Sequence, residues 1–436
     1  MNILIVGSGG REHALVDKFH RDEPDATLYA APGNPGMARQ AECVDISAAD
    51  VEGLAAFAAE NRVDLTVVGP EAPLAAGIAD RFESIGLSVF GPSASAARLE
   101  SSKAFAKDLM VTHGVPTAGF QSFTDAAAAI AYVESHPEPL VVKASGLAAG
   151  KGAIVCETRT AAAAAITSLM LESKFGDAGA EVVVENFMEG VELSVFFLAD
   201  GERAVPLLTS RDYKRIGEGD TGLNTGGMGA YAPALPCDDG FLDSVCRTIA
   251  DPILAAMAEA GSPYRGFLYA GLMLTRQGPK VVEFNCRLGD PETQAVLPLT
   301  RSNLVEPLAA IARGELLGDW TPEAEPGATL VTVVASAGYP ESSDTGRAIS
   351  LPDIDPDLAR IYHAGTAMAG DRLVTAGGRV LAVTGFGATL AEAAETSRAV
   401  ANQIDFEGAQ WRHDIGWHEL DPGRVEGPWG DLLTPV

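Results

Sequence analysis

Short apolar runs closed by glycine or proline alternate with amphipathic stretches through the first hundred residues. Residues 3–6, 27–31, 65–68 and 89–90 read as strands, while 11–21 and 54–60 carry helical spacing. Strands alternating with helices predict βαβ units and a parallel sheet, with ligands at the strands' C-terminal ends. The pattern then changes. Strands at 181–185, 192–198, 269–275 and 280–285 follow one another with few helices between, and Asp200-Gly201 and Gln277-Gly278 read as hairpin turns. Alanine-rich helices are expected at 125–134 and 160–172, and a long glycine-rich loop at 217–229. Strands at 330–336 and 379–384 with a helix at 390–404 predict a small closing domain, and residues after Trp417 read as an extended tail.

The expected fold is therefore α/β and α+β multidomain. A Rossmann-like unit spans 1–103, and a central unit 104–326 divides into a lid at about 120–192 and a metal-binding part at about 193–326. A small C-terminal α/β domain follows at 327–436. A chain of 436 residues has room for several full cores.

Charge narrows the class of partner. With 59 acidic against 31 basic residues the net charge is −28, which repels nucleic acid. No apolar run approaches the ~18 residues of a membrane span. The five cysteines are scattered without a CxxC, as expected of a cytoplasmic protein. High acidity with only eight lysines resembles adaptation to high salt, where screening weakens self-repulsion. Four of those lysines, Lys103, Lys143, Lys151 and Lys214, lie in or beside runs with candidate chemistry.

The strongest of these runs is Lys143-Ala144-Ser145-Gly146-Leu147-Ala148-Ala149-Gly150-Lys151-Gly152. Gly146, Gly150 and Gly152 let backbone N–H groups approach phosphate oxygens while Lys143 and Lys151 offset charge. It lacks the GK[ST] of a Walker A loop. Next comes Glu283-Phe284-Asn285-Cys286-Arg287, where side-chain alternation puts Glu283, Asn285 and Arg287 on one strand face. A carboxylate beside an amide oxygen suits a hard cation such as Mg2+. Asp290 is expected as the N-cap of the following helix, with Pro291 at its first position.

Other signals are weaker alone. Gly7-x-Gly9-x-x-Glu12 lacks the third small residue of a dinucleotide fingerprint, and the second strand ends without a ribose-binding acid. Gly9, Gly10 and Arg11 suit a sugar phosphate better, with Glu71 on ribose hydroxyls; the competing reading is a plain tight turn. In 185–192 an adenine would read main chain near Phe187 and Met188, with Glu192 on the ribose; a hairpin with solvated acids competes. Arg211-Asp212-Tyr213-Lys214-Arg215 suits a small zwitterion and a phosphate.

Strand lysine, glycine loop, acidic hinge and Glu-x-Asn, in that order, resemble the ATP-grasp superfamily. Val6–Ala14, Ala31-Pro32-Gly33-Asn34, Val68–Leu74, Phe90-Gly91-Pro92, Asn224–Tyr231 and Phe284–Gln294 are similar to the glycinamide ribonucleotide synthetases within it. Ser145 departs from the Lys-Ala-Asp-Gly expected there. The resemblance implies an ATP-dependent ligase that joins glycine to 5-phosphoribosylamine and uses Mg2+ or Mn2+, acting as a monomer or weak homo-oligomer. It further implies metal at Glu283 and Asn285; phosphates at Lys103, Lys143 and the 146–152 loop; and adenosine at Glu185, Phe187, Met188 and Glu192. Ribose phosphate falls to Gly9, Gly10, Arg11, Asn34 and Glu71, and the glycine ammonium to Asp212, with Lys214 nearby on an anion and Arg287 at the reacting oxygens. Another ATP-grasp ligase of purine synthesis, an NAD(P) oxidoreductase and a non-catalytic nucleotide sensor are the rival readings.

Overall fold

A computed structural model describes residues 1–148, 150–172 and 174–421. The N-terminal strands Asn2–Gly7, Thr27–Pro32, Glu42–Cys43, Leu65–Val68 and Val89–Phe90 form one parallel sheet. Its order is 42–43, 27–32, 2–7, 65–68, 89–90. The winding direction reverses beside strand 2–7, so Gly7 and Gly69 lie at the point where such sheets open a crevice. Helix Gly10–Asp22 starts there and buries Ala14, Leu15 and Phe19 against the sheet.

Residues 120–186 build a separate four-stranded antiparallel sheet, in the order Phe120–Phe123, Val182–Asn186, Leu140–Ala144, Ala153–Cys156. Alternate residues Leu140, Val142, Val182 and Val184 face helices Ala126–Ser135 and Arg159–Ile166 in an apolar core of their own. Asp125 and Thr158 cap those helices, each accepting an N–H from three residues on.

Apart from two small hairpins, at 215–224 and 366–375, the remaining strands form one eight-stranded antiparallel sheet, in the order Gly278–Asn285, Arg265–Thr275, Val191–Asp200, Ala204–Asp212, Gly229–Ala232, Ala328–Ala335, Arg379–Gly387, Ala359–His363. The strands of the small C-terminal domain continue the central sheet, because Gly229–Ala232 pairs with Ala328–Ala335. Two expectations change here. The 217–229 stretch is largely ordered as a hairpin of Arg215–Gly217 with Thr221–Asn224, followed by strand Gly229–Ala232. Trp417–Leu420 forms a short docked helix, so the extended tail expected from 417 is not extended at its start; residues 422–436 lie outside the described residues.

Helix Gly10–Asp22 packs against Ala359–His363 through two buried histidines, and the His363 N–H donates to His13 Nδ1 at 2.7 Å. Burial pushes His13 down to about 3, aided by His363, and pushes His363 to about 4, aided by Arg39. Both are neutral when folded and charge more readily when unfolded, so their contribution is full above pH ~6.5 and is lost as pH falls towards the folded values. Urea midpoints should therefore drop between pH 7 and 5, and drop less in His363→Gln. Equal slopes in the two proteins would contradict this.

Candidate active site

The three sheets close around one cavity of about 420 Å³. Its floor is strand Gly278–Asn285. A bulge opposite Gly271 and Leu272 interrupts its pairing with Arg265–Thr275. Phe284 enters the core while Glu283 and Asn285, on the opposite side of the strand, line the cavity half-buried. Burial alone would raise the Glu283 carboxyl, but Lys103, Lys143 and Lys214 hold it below the usual range. Arg287 does not continue this face, since the strand ends at Asn285. Its guanidinium still reaches the cavity, held by Glu71 (Nε to Oε2, 3.2 Å), Glu100 (Nη2 to Oε1, 2.8 Å) and the Leu288 carbonyl.

The ceiling comes from the four-stranded sheet. Lys143 sits 2.9 Å from Glu185 Oε1 as an ion pair and donates to the Val282 carbonyl at 3.1 Å. Lys107 approaches Glu185 Oε2 at 3.1 Å and donates to Thr117 Oγ1. All three charged side chains are nearly buried, and burial pushes Lys107 down to about 8. Glu185 thus lines the cavity already paired with two lysines, where an open hinge contact for adenosine was expected. Phe187, Met188 and Glu192 do line the cavity. Lys103 lines it too and donates to the Gly146 carbonyl at 3.4 Å. Ser145 accepts the Ala104 N–H at 3.2 Å, so a hydroxyl suffices to tie the loop to helix Lys103–Thr112.

The glycine loop divides. Gly150 and Gly152 line the cavity, whereas Gly146 is glycine because a Cβ would stand 2.6 Å from the Ala178 backbone. Lys151 is exposed and donates to the Pro340 carbonyl at 3.2 Å, outside the cavity lining. Both residues thus depart from the phosphate role expected of them.

At the N-terminal sheet, Arg11 and Glu71 line the cavity; Gly9, Gly10 and Asn34 do not. Glu12 explains the glycines. Its carboxylate accepts the Gly9 N–H at 2.7 Å, and a Cβ on Gly7 or Gly69 would strike its side chain. A glutamate fills the space a pyrophosphate would need. Asn34 spends its amide on Ser8 O, His363 O and the N–H groups of Gly36 and Met37, so no donor or acceptor is left for ribose phosphate.

Alternation along 211–214 separates two jobs. Asp212 and Lys214 face the cavity, where Lys214 donates to Asp212 at 3.2 Å and pairs with Glu192. Burial raises the Asp212 carboxyl; burial opposes the Lys214 charge, but Asp212 and Glu192 hold its pKa high. Arg211 and Tyr213 turn the other way, onto Glu419 (3.3 Å) and His418 (3.3 Å). Arg412 lies over the Tyr213 ring and bonds Asp220 and Asp414. The C-terminal segment thereby braces the strand carrying Asp212.

Four residues that sequence reasoning did not assign also belong here. Glu100 backs Arg287, Lys107 backs Glu185, Glu292 opens helix Glu292–Leu299, and Arg379 donates to the carbonyls of Gly226 and Asp290 at 2.6 and 2.5 Å. The helix starts two residues after Asp290, which instead takes the Arg11 N–H and the Gln294 amide. Lys107 had a usable signal, being one of only eight lysines; the others had none.

Two antiparallel sheets shutting on a cleft that holds basic residues on one wall and Glu-x-Asn on the other define the ATP-grasp class. The chain belongs to the phosphoribosylglycinamide synthetase family, whose N domain, ATP-grasp (A) domain and C domain match residues 1–100, 101–293 and 329–418. It is 46% identical over 429 residues to a phosphoribosylamine–glycine ligase of Yersinia pestis, covering 97% of this chain and 100% of that protein. The corresponding ligase of Vibrio cholerae is 46% identical over 427 residues, covering 96% and 99%. The crystal structure of the phosphoribosylamine–glycine ligase of Thermotoga maritima gives a TM-score of 0.83 at 32% identity, over 95% of this chain and 100% of that one. The biotin carboxylase domain of the Hydrogenobacter thermophilus 2-oxoglutarate carboxylase shares the fold, with a TM-score of 0.74 at 16% identity over 100% of this chain and 99% of that one.

Proposed function

We propose that this chain joins glycine to 5-phosphoribosylamine at the cost of ATP, giving glycinamide ribonucleotide, ADP and phosphate in purine synthesis. The relatives' activity supports this, and one observation carries it: Lys103, Lys143, Gly150, Glu283, Asn285, Asp212 and Arg287 all line a single cavity. A carboxylate is a poor acyl donor. A glycine carboxylate oxygen attacks the γ-phosphorus and ADP leaves; the amine of phosphoribosylamine then attacks the carbonyl carbon, the C–O bond to phosphate breaks, and the nitrogen loses a proton. Positioning and charge neutralisation suffice, and no protein nucleophile is needed.

Lys103, Lys143 and the backbone at Gly150 and Gly152 hold phosphates, while Phe187, Met188 and Glu192 take the adenosine. Arg11 and Glu71 bind phosphoribosylamine, Asp212 the glycine ammonium, and Arg287 the charge on the transferring oxygens. Glu283 and Asn285 fit Mg2+ or Mn2+, because a carboxylate and an amide two residues apart on one strand both line the cavity and offer the hard oxygen donors such an ion takes. Among the described residues no group of three or more His, Cys, Asp or Glu has a metal-binding arrangement; phosphate and water oxygens are the partners we propose beside Glu283 and Asn285. Such an ion supplies neutralisation of phosphate charge. Among the described residues no helix is long and apolar enough to cross a membrane, and five free cysteines suit a reducing cytoplasm. We take the working unit as a monomer or weak homo-oligomer.

Coupled ADP release with freshly generated phosphoribosylamine, at low and high KCl, tests the reading. Turnover should require glycine and be unsupported by formate or bicarbonate. Turnover with bicarbonate instead would assign a different ligase of the same class, and nucleotide binding without turnover would make it a sensor.

A further inference from the structure

Asp212 has a second carboxylate for company. Glu292 opens helix Glu292–Leu299 at the cavity wall and is 5% exposed. Gly289 makes room for it, since a Cβ there would stand 2.4 Å from Glu292 Oε2. No side chain among the described residues donates a hydrogen bond to that carboxylate, and no ion pair reaches it. The nearest cations are committed elsewhere: Lys214 to Asp212 and Glu192, Arg287 to Glu71 and Glu100. A buried carboxylate without a counter-charge is costly, and an organic cation in the cavity would relieve it.

We propose that Glu292 and Asp212 together seat the ammonium group of the amino-acid substrate, Glu292 being the second ligand that selects a primary ammonium. This rests on the glycine-ligase reading above and deepens it. A primary ammonium carries three N–H donors and so can serve two carboxylates at once. The groups facing Glu292 agree with the assignment. Burial and the charge of Asp212 push its carboxyl up to about 7, against the opposing pull of Lys214 and Arg287, while the neighbouring Tyr269 phenol stays neutral. Bound ammonium restores the ionised form, so proton and glycine compete for the same carboxylate.

Glycine titrations at saturating ATP and phosphoribosylamine, from pH 6 to 8.5, test this in the wild type, Glu292→Gln and Glu292→Asp. At pH 8, Glu292→Gln should raise KM for glycine about 10- to 100-fold, the scale of one charge-assisted hydrogen bond, and leave KM for ATP within about twofold. Wild-type KM for glycine should climb below pH 7, and that limb should vanish in Glu292→Gln. If Glu292→Gln does not fold, Glu292→Asp must show a raised glycine KM with the limb retained. A fall in kcat with glycine KM unchanged at every pH overturns the seat and makes Glu292 a proton acceptor or a structural group. Wild-type enzyme that releases no ADP with glycine sinks the ligase reading instead.

Discussion

Arg287→Ala lowers kcat about 10²- to 10³-fold, the scale for one lost transition-state donor, and leaves KM for ATP nearly unchanged. The guanidinium is fixed on three sides, by Glu71, Glu100 and the Leu288 carbonyl, so it meets developing charge without reorganising. Glu100 and Glu71 also hold the Arg287 pKa well above its ordinary value. The variant should still fold, because burial already pushes the Glu100 carboxyl up and it can protonate when its partner goes. Arg287→Lys should recover little, since a tetrahedral ammonium cannot reproduce the planar guanidinium that spans Glu71, Glu100 and the Leu288 carbonyl. Steady-state kinetics with a thermal melt decide the matter. A change confined to KM for ATP would remove Arg287 from the chemistry and place it in nucleotide binding.

The second large effect is on stability. Glu185→Leu strands Lys107 and Lys143, whose side chains are 3% and 4% exposed. Removing one partner of a buried charge cluster costs about 3–5 kcal/mol. The loss should shrink at high pH, because Lys107 already sits near 8 and sheds its charge first as pH rises. Adding Lys107→Met to Glu185→Leu should return part of the stability, since one of the two stranded charges is gone. Urea melts of the three proteins at pH 7 and 9.5 measure this. A single-mutant loss under about 0.5 kcal/mol would mean that water or a rearranged side chain reaches the cluster.

Some of the site was legible because local rules carry it. Strand alternation alone places Glu283 and Asn285 on one side with Phe284 opposite. Strands 65–68 and 89–90 have the bounds their apolar runs predict, and the hairpin at Asp200-Gly201 forms where the dipeptide signals it. Glycines misled where their reason was a neighbour distant in sequence. Gly146 yields to Ala178 and Gly10 to Gln294, contacts that no local pattern encodes. Asn34 looked like a ligand and proved to be a fastener, because its four partners include a carbonyl from residue 363.

By itself the amino-acid sequence determined the class: the order of strand lysine, glycine loop and Glu-x-Asn, which resembles a known superfamily, an acidic charge that argues against nucleic acid, and the parallel-then-antiparallel layout. These follow from periodicity, turn chemistry and composition, which act over a few residues. Only the tertiary structure decided which charges share a cavity. Glu100 with Arg287, Lys107 and Lys143 on Glu185, Arg379 across Asp290, and Glu292 beside Asp212 are paired by chain crossings tens to hundreds of residues long. Coulomb energy and desolvation depend on distance and burial in space, and neither quantity exists until the sheets have closed.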